Sequence, residues 1–379
     1  MLHLRTAIFR VYNQGLHVDL IQDLLTAPNL ETLVLEDVFC EESPLYDSEN
    51  TPVLSPLKHI IEQQHCIRNP RFKGTFPIEY DHAGYTYELR RYILRQVHET
   101  MEIIRMPSNR LSLSILSSQT WKAMRELTLY GECPVLDAPF ISVIQAMPKL
   151  RTLKCLIWSF DPIQICPVEP TAPVQIPPLQ YILLRNVMLD DPFFQQLPGD
   201  LLSLSIRSNY DPPRALTFTS EEMLHFLGSQ TFPHLEHLEM TVVVDSEELS
   251  LIRQFHCAFV SFCPNIQDLT ICLYLSTSAD TGRAVTLLFS ALTPLRSLRQ
   301  LRLDFGFLDI GDVEDYMSTT IEALPWLDTI GFYVDSGLDD GNWVVATVDK
   351  TDGSVKLGEI HQEIPDRDYG ILDKYEAES

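Results

Sequence analysis

Leu298-Arg299-Gln300-Leu301-Arg302-Leu303-Asp304 places apolar residues at the first, fourth and sixth positions of a short run. The same spacing recurs at Leu30/Leu33/Leu35, Met124/Leu127/Leu129, Leu150/Leu153/Cys155, Leu179/Ile182/Leu184, Leu201/Leu204/Ile206, Leu235/Leu238/Met240, Ile266/Leu269/Ile271 and Leu327/Ile330/Phe332. From Met124 to Leu327 the intervals are 26, 29, 22, 34, 31, 32 and 29 residues. A fixed spacing returning at such a period is the mark of a repeat architecture. The second, third and fifth residues of each run are variable. A weaker copy is expected around Leu111 and Leu113, another near Ile8 to Val11, and Asn209 falls where longer forms of the pattern carry an asparagine.

Six copies carry a proline two residues before their first apolar position: Pro28, Pro148, Pro177, Pro233, Pro264 and Pro325. Upstream of many of them lies a helical apolar pattern, as in 16–26, 140–147, 220–227, 249–262, 284–292 and 313–324. Proline cannot continue a helix and turns its predecessor toward extended geometry, so it separates helix from strand. Thr219-x-x-Glu222 fits a capping box, and Asp191-Pro192 fits an N-cap followed by proline at the first helical position. Helix, proline, short strand and loop, repeated, predict an α/β leucine-rich-repeat solenoid of ten to eleven units. This horseshoe would have a parallel inner sheet and helices on the convex side. The array is expected over residues 1–334. It is interrupted at about 37–107 by an irregular insertion with helical stretches near 57–66 and 87–106. A C-terminal capping hairpin and acidic tail are expected at 335–379, where Asp352-Gly353 is a hairpin signal.

Hydrophobic residues make up 45% of the 379, which supports a large core and argues against disorder. Leucine occurs 54 times, and the 25 prolines outnumber the 15 glycines. The formal net charge of -24 disfavours nucleic acid and anionic lipid as partners. Twelve acidic against four basic residues in 335–379 carry a third of that charge, whereas 58–110 holds nine basic and six acidic residues. That local excess marks 58–110 as a docking segment for an acidic partner. The bland alternative is a pair of atypical, lengthened repeats. Eight scattered cysteines without C-x-x-C spacing read as reduced core thiols, Cys257 and Cys263 included. No stretch has the length and apolarity of a membrane span, and no signal peptide is seen, so the cytoplasm or nucleus is the expected location.

No phosphate-binding, dinucleotide-binding or serine-elbow motif occurs. His234-Leu235-Glu236-His237 lacks metal-ligand spacing for one face, His65-Cys66 has no identifiable catalytic partner, and Asp335, Asp339 and Asp340 lack the ligand order of a calcium loop. No cofactor, metal or catalytic residue is expected. The variable positions of the repeats instead form three columns on the strand face. From them Tyr130, Lys154, Tyr181, Arg185, Arg207, His237, Glu239, Arg302, Asp304 and Tyr333 are the candidate protein-binding residues, Tyr and Arg being enriched at binding hot spots. Tyr130, Tyr181, Arg185 and Arg207 are expected to form one patch.

The run Arg110–Cys133 (RLSLSILSSQTWKAMRELTLYGEC), the following Met147-Pro148-Lys149-Leu150-Arg151 and the element around Trp343 resemble the F-box/leucine-rich-repeat proteins of mushroom-forming fungi. The resemblance implies a substrate-recognition module: in that family an F-box recruits a cullin–RING ubiquitin ligase and the repeats hold the substrate. No F-box sequence precedes Leu16, so ligase recruitment is carried to no residue here. Truncation of the gene and loss of the adaptor both stay open. The expectation is a monomeric, non-enzymatic protein that binds an unknown protein on its concave face. A stand-alone scaffold without a ubiquitin link and an enzyme with an unrecognised site are the alternatives.

Overall fold

The computed structural model describes residues 3–10, 18–36, 57–63, 90–91, 93–109, 111–159, 161–167, 175–207, 218–244, 246–275, 281–305, 313–334, 342–348 and 355–361. The chain divides into two compact units, Met1–Pro198 and Gly199–Ser379. In the first, β1 (Thr6–Arg10), β2 (Thr32–Glu36), β3 (His59–Gln63), β4 (Ile103–Pro107), β5 (Glu126–Glu132), β6 (Thr152–Trp158) and β7 (Tyr181–Arg185) pair in sequence order, all parallel. In the second, β8 (Ser203–Arg207), β9 (His237–Val244), β10 (Asp268–Leu275), β11 (Gln300–Asp304) and β12 (Thr329–Val334) are parallel, and β13 (Asn342–Val348) and β14 (Val355–His361) follow antiparallel. The fold is α/β with a mostly parallel, open sheet.

Each parallel strand begins two residues after the first apolar position of its run. Strand side chains alternate between faces, so the fourth and sixth positions point together into the core. Leu127, Leu129, Leu153, Leu301 and Leu303 are wholly buried, as are the preceding Met124, Leu150 and Leu298. The helices bury the other half of that core: Leu227, Phe259 and Leu288 are inaccessible or nearly so. A parallel strand pair cannot be joined by a tight hairpin, so a crossover must fill every interval. Where the interval is longest, it carries Ser220–Ser229; the 32-residue interval carries Thr281–Leu292. The shortest, 22 residues, holds no α-helix but a single 3-10 turn, Phe194–Gln196, with Phe193 and Phe194 filling the core.

The prolines sit inside a recurrent turn. Leu30 N–H donates to Ala27 O at 3.2 Å, Leu150 to Met147 at 3.0 Å, Leu235 to Phe232 at 3.2 Å, Ile266 to Cys263 at 3.2 Å and Leu327 to Leu324 at 3.2 Å. Pro28, Pro148, Pro233, Pro264 and Pro325 are the second residue of these five turns, where a fixed φ is pre-organised and no N–H is needed. Thr219 and Glu222 form the expected capping box around Ser220–Ser229. Asp191-Pro192 does not start an α-helix. The buried Asp191 carboxylate instead accepts from the N–H groups of Phe193 (2.8 Å), Ile165 (2.7 Å) and Cys166 (3.1 Å), tying one repeat to the one before it. Asn186, in the left-handed region at φ 60°, does the same through Nδ2, which donates to Ser159 O and Asp161 O. Asn209 lies outside the described residues, as does the hairpin signal Asp352-Gly353.

Three expectations are corrected. Residues 59–63 and 103–107 are strands in register with β2 and β5, where helix is expected from the sequence, whereas the helical stretch expected at 87–106 is helical at 90–91 and 93–97. The copy expected at Leu111 and Leu113 is instead a bridge at Ser112 and a short helix, Leu113–Ser117. Cys257 is exposed and does not belong to the core.

The hidden repeat at Leu57-x-x-Ile60-x-Glu62 has a charge in a leucine position. Glu62 aligns with Leu35 in β2 and is 2% exposed. Its carboxylate accepts from Arg90 Nε at 2.7 Å and from Arg90 Nη2, and Arg90 Nη1 lies 3.5 Å from Asn109 O. Both ions are out of water, so removing one takes a charge-assisted contact from a buried charge. Glu62→Ala is therefore expected to destabilise the chain by about 3–5 kcal/mol, whereas Glu62→Leu combined with Arg90→Met is expected to be near neutral or stabilising. Urea unfolding checks both; a double variant as unstable as the single one would show that the pair does not set the cost.

Candidate protein-binding face

Because the repeats pair without register slips between the parallel strands, residues on the non-core face stack into rows across the strands. In the first unit the rows read Thr32, His59, Ile103, Glu126, Thr152, Tyr181 and Val34, Ile61, Arg105, Thr128, Lys154, Leu183. In the second they read Ser203, His237, Asp268, Gln300, Thr329 and Ser205, Glu239, Thr270, Arg302, Gly331. His59 and Arg105 were missed as face residues because β3 and β4 were missed. Their signal is present in Leu57-x-x-Ile60 and Met101-x-x-Ile104-x-Met106, but Glu62 breaks the apolar pattern in one.

In the first unit, Arg105 Nε donates to Glu126 Oε1 at 2.6 Å, with both side chains buried, and Thr128 Oγ1 donates to the same oxygen at 3.3 Å. Tyr130 reaches across β4, its hydroxyl donating to the Glu62 carbonyl. Thr32 Oγ1 lies 2.9 Å from His59 Nδ1. Lys154 and Arg185 are half-buried, and Tyr181 is 43% exposed. Lys58, Arg90 and Arg105, three of the basic residues that made 58–110 a candidate docking segment, each face a carboxylate of the array: Glu31 at 3.2 Å, Glu62 and Glu126.

In the second unit, Arg207 Nε and Nη2 donate to Glu239 at 2.8 and 2.9 Å, and Ser205 Oγ donates to Glu239 Oε2 at 2.6 Å. Arg207 and Glu239 thus form an ion pair within this unit. Asp268, buried, lies 3.6 Å from Arg302 Nη1 and 3.7 Å from His237 Nδ1. Asp304, a candidate face residue, is buried. Tyr333 packs against Trp343 of β13, with ring centroids 5.5 Å apart. Gly331 opens the space for this: a Cβ there would stand 3.3 Å from Arg302 Cγ and 3.6 Å from Trp343 Cε3. The β13–β14 hairpin therefore borders the face beside Tyr333 and Arg302.

Among the described residues no group of three or more His, Cys, Asp or Glu side chains is placed to hold a metal ion, and no helix is long and apolar enough to cross a membrane. His234 is exposed while His237 is half-buried on the face. Cys257 Sγ lies 3.8 Å from His256 Nδ1. The buried thiols are unreactive by environment: burial pushes Cys166 up to about 11, with Asp191 adding to it, and Cys263 up to about 12. His65-Cys66 and Asp335, Asp339 and Asp340 lie outside the described residues. No protein-family model and no curated protein matches the chain.

Burial holds His59 below the ordinary histidine value of 6.5; Lys58 acts in the same direction, and Glu102, Glu31 and Glu126 oppose it. A histidine lowered by folding binds its proton more readily in the unfolded chain. The unfolded state therefore gains protons first as pH falls through 6.5, and stability declines there. His59→Gln is expected to lose less stability than the parent chain between about pH 7.5 and pH 5.5, as thermal unfolding at the two pH values would show. Equal losses in both proteins would remove His59 as a source of acid sensitivity.

Proposed function

We propose that the chain is a protein-binding module, a leucine-rich-repeat solenoid whose strand face holds a partner, acting as the substrate-recognition part of an F-box-like ubiquitin-ligase adaptor. The period, the strand–turn–helix unit and the buried Asn186 and Asp191 ties between repeats support the solenoid. The ligase link rests on the resemblance alone. The observation that carries the binding function is the strand face itself. In each unit, charged and hydroxyl side chains from consecutive strands are fixed in rows by one another, as in Arg105–Glu126–Thr128 and Ser205–Glu239–Arg207. Groups already ordered before contact lose less entropy on binding, which is what pre-organisation contributes to affinity.

The test uses the full chain as bait in extract from its own organism, beside Tyr181→Ala, Arg302→Ala and, as a control on the exposed side of the Val313–Ala323 helix, Glu322→Ala. Specific partners are expected to be lost with either face substitution, by about tenfold or more in recovery, and kept with Glu322→Ala. A cullin and its linker protein are expected among the retained proteins. Partners that survive both face substitutions would overturn the face as the binding surface. Face-dependent partners without any cullin or linker would replace the ligase reading with a stand-alone scaffold.

A further inference from the structure

At the C-terminal ends of β5, β6 and β7 the chain runs out into three loops, and contacts between them hold the loops side by side. Ser159 and Asp161, after β6, both act on the Cys133 thiol after β5. Ile141 N–H donates to Ile165 O at 3.0 Å. Ile163 bridges Val187 after β7, and Asn186 Nδ2 donates to Asp161 O at 2.9 Å. The exposed side chains of this edge are of two kinds. Val135 is 49% exposed, Leu136 61% and Met188 41%, three of the seven large apolar side chains that are exposed among the described residues. Scattered apolar residues on a surface are ordinary, but grouped ones mark contact sites. Beside them Glu132, Asp137, Asp161 and Asp190 are exposed. Asp137 accepts from Ser112 and Ser114. Among the described residues none of these four carboxylates is in a salt bridge. The sequence explains this: no Lys, Arg or His occurs in 132–148, 155–184 or 186–206.

We infer that this loop edge is a second docking surface, separate from the strand face, and that it binds a basic amphipathic segment of a partner protein. Aliphatic side chains of the segment seat against Val135, Leu136 and Met188, and its Lys and Arg residues meet Glu132, Asp161 and Asp190. Charge complementarity selects this occupant. Cation-to-carboxylate contacts are charge-assisted hydrogen bonds, and the net charge of -24 draws a basic segment in from a distance. An acidic segment, a nucleic acid or an anionic lipid surface would set like charges together here. So would a second copy docked through the same edge, because a two-fold contact brings each patch against itself.

The full chain would be titrated at physiological ionic strength against a fluorescein-labelled peptide of repeated Lys-Leu-Lys triplets, with fluorescence anisotropy as the readout. Any polycation is attracted to so acidic a chain, so the controls separate the edge from bulk charge. Binding is expected to weaken about tenfold or more when Asp161→Lys is combined with Asp190→Lys, and about fivefold in Leu136→Ser. Glu221→Lys combined with Glu322→Lys makes the same change of charge at exposed helix positions elsewhere and should weaken binding far less. A peptide with Ser in place of every Leu should bind about tenfold more weakly. Far-UV circular dichroism establishes that each variant is folded. Leu136→Ser changes no charge at an exposed loop position, so it decides the matter if the Asp161 and Asp190 variant unfolds. Absence of binding, equal loss in the two charge-reversed proteins, or no effect of Leu136→Ser would overturn the inference, as would equal binding of the Ser peptide. Tyr181→Ala should bind the peptide like the parent; loss there would move the contact to the strand face and overturn the edge. Partner capture that depends on Tyr181 and Arg302 is untouched by any of these results, so the two readings fail separately.

Discussion

The parallel register is the constraint from which the rest of this molecule follows. Once Leu127 stands over Leu153, and Leu153 over Ile182, the same sequence position in successive repeats occupies the same place in space. Core positions must then be apolar in every copy, because each one closes on its neighbour and on the crossover behind it. The opposite face obeys a related rule. Side chains directly across from one another in neighbouring strands interact strongly, and like charges in that position are destabilising. Arg105 accordingly meets Thr128 in its row with Glu126 one row away, and Glu239 and Arg302 are separated by Thr270. Rows of mixed charge are thus a requirement of stacking as much as a feature of binding.

Interval length expresses the same constraint along the chain. A strand-to-strand crossover must span the layer whatever its sequence, so variation in length appears as variation in what fills it. Thirty-two residues accommodate the three turns of Thr281–Leu292, whereas twenty-two leave room only for Phe194–Gln196. The short repeat loses the backbone hydrogen bonds of a helix. Asp191 instead ties it to the repeat before it, accepting three N–H groups in a buried site where an unmet donor costs about 1–3 kcal/mol. Burial still pushes the Asp191 carboxyl above the usual carboxylate range despite those donors.

The strands that sequence reading found are those whose sixth position is apolar, and the ones it missed show why. At β3 the position is Glu62, legible as a core residue only once Arg90, 28 residues away, is known to neutralise it. At β4, Met101, Ile104 and Met106 fit the spacing but also fit a helix, since short apolar runs do not distinguish the two. The prolines were legible as breaks; their place as second residue of a turn was not, because that depends on the hydrogen bond closing from the strand side. Cys257 was read as core from composition, yet a helix has two faces, and Phe255, Phe259 and Phe262 define the buried one. The ten candidate face residues were placed on the strand face by the repeat spacing alone. Their partners in space were not legible there: Asp304 is buried, and Arg207 is paired with Glu239.

Charge counting along a sequence shows the same limit and also its use. Within 58–110, parallel stacking brings Glu31, Glu62 and Glu126 against Lys58, Arg90 and Arg105. The effective charge of a segment is what remains after its neighbours in space are counted. An acidic segment that approaches a chain of net charge -24 is repelled at long range, and at physiological ionic strength that repulsion is screened beyond about 8 Å.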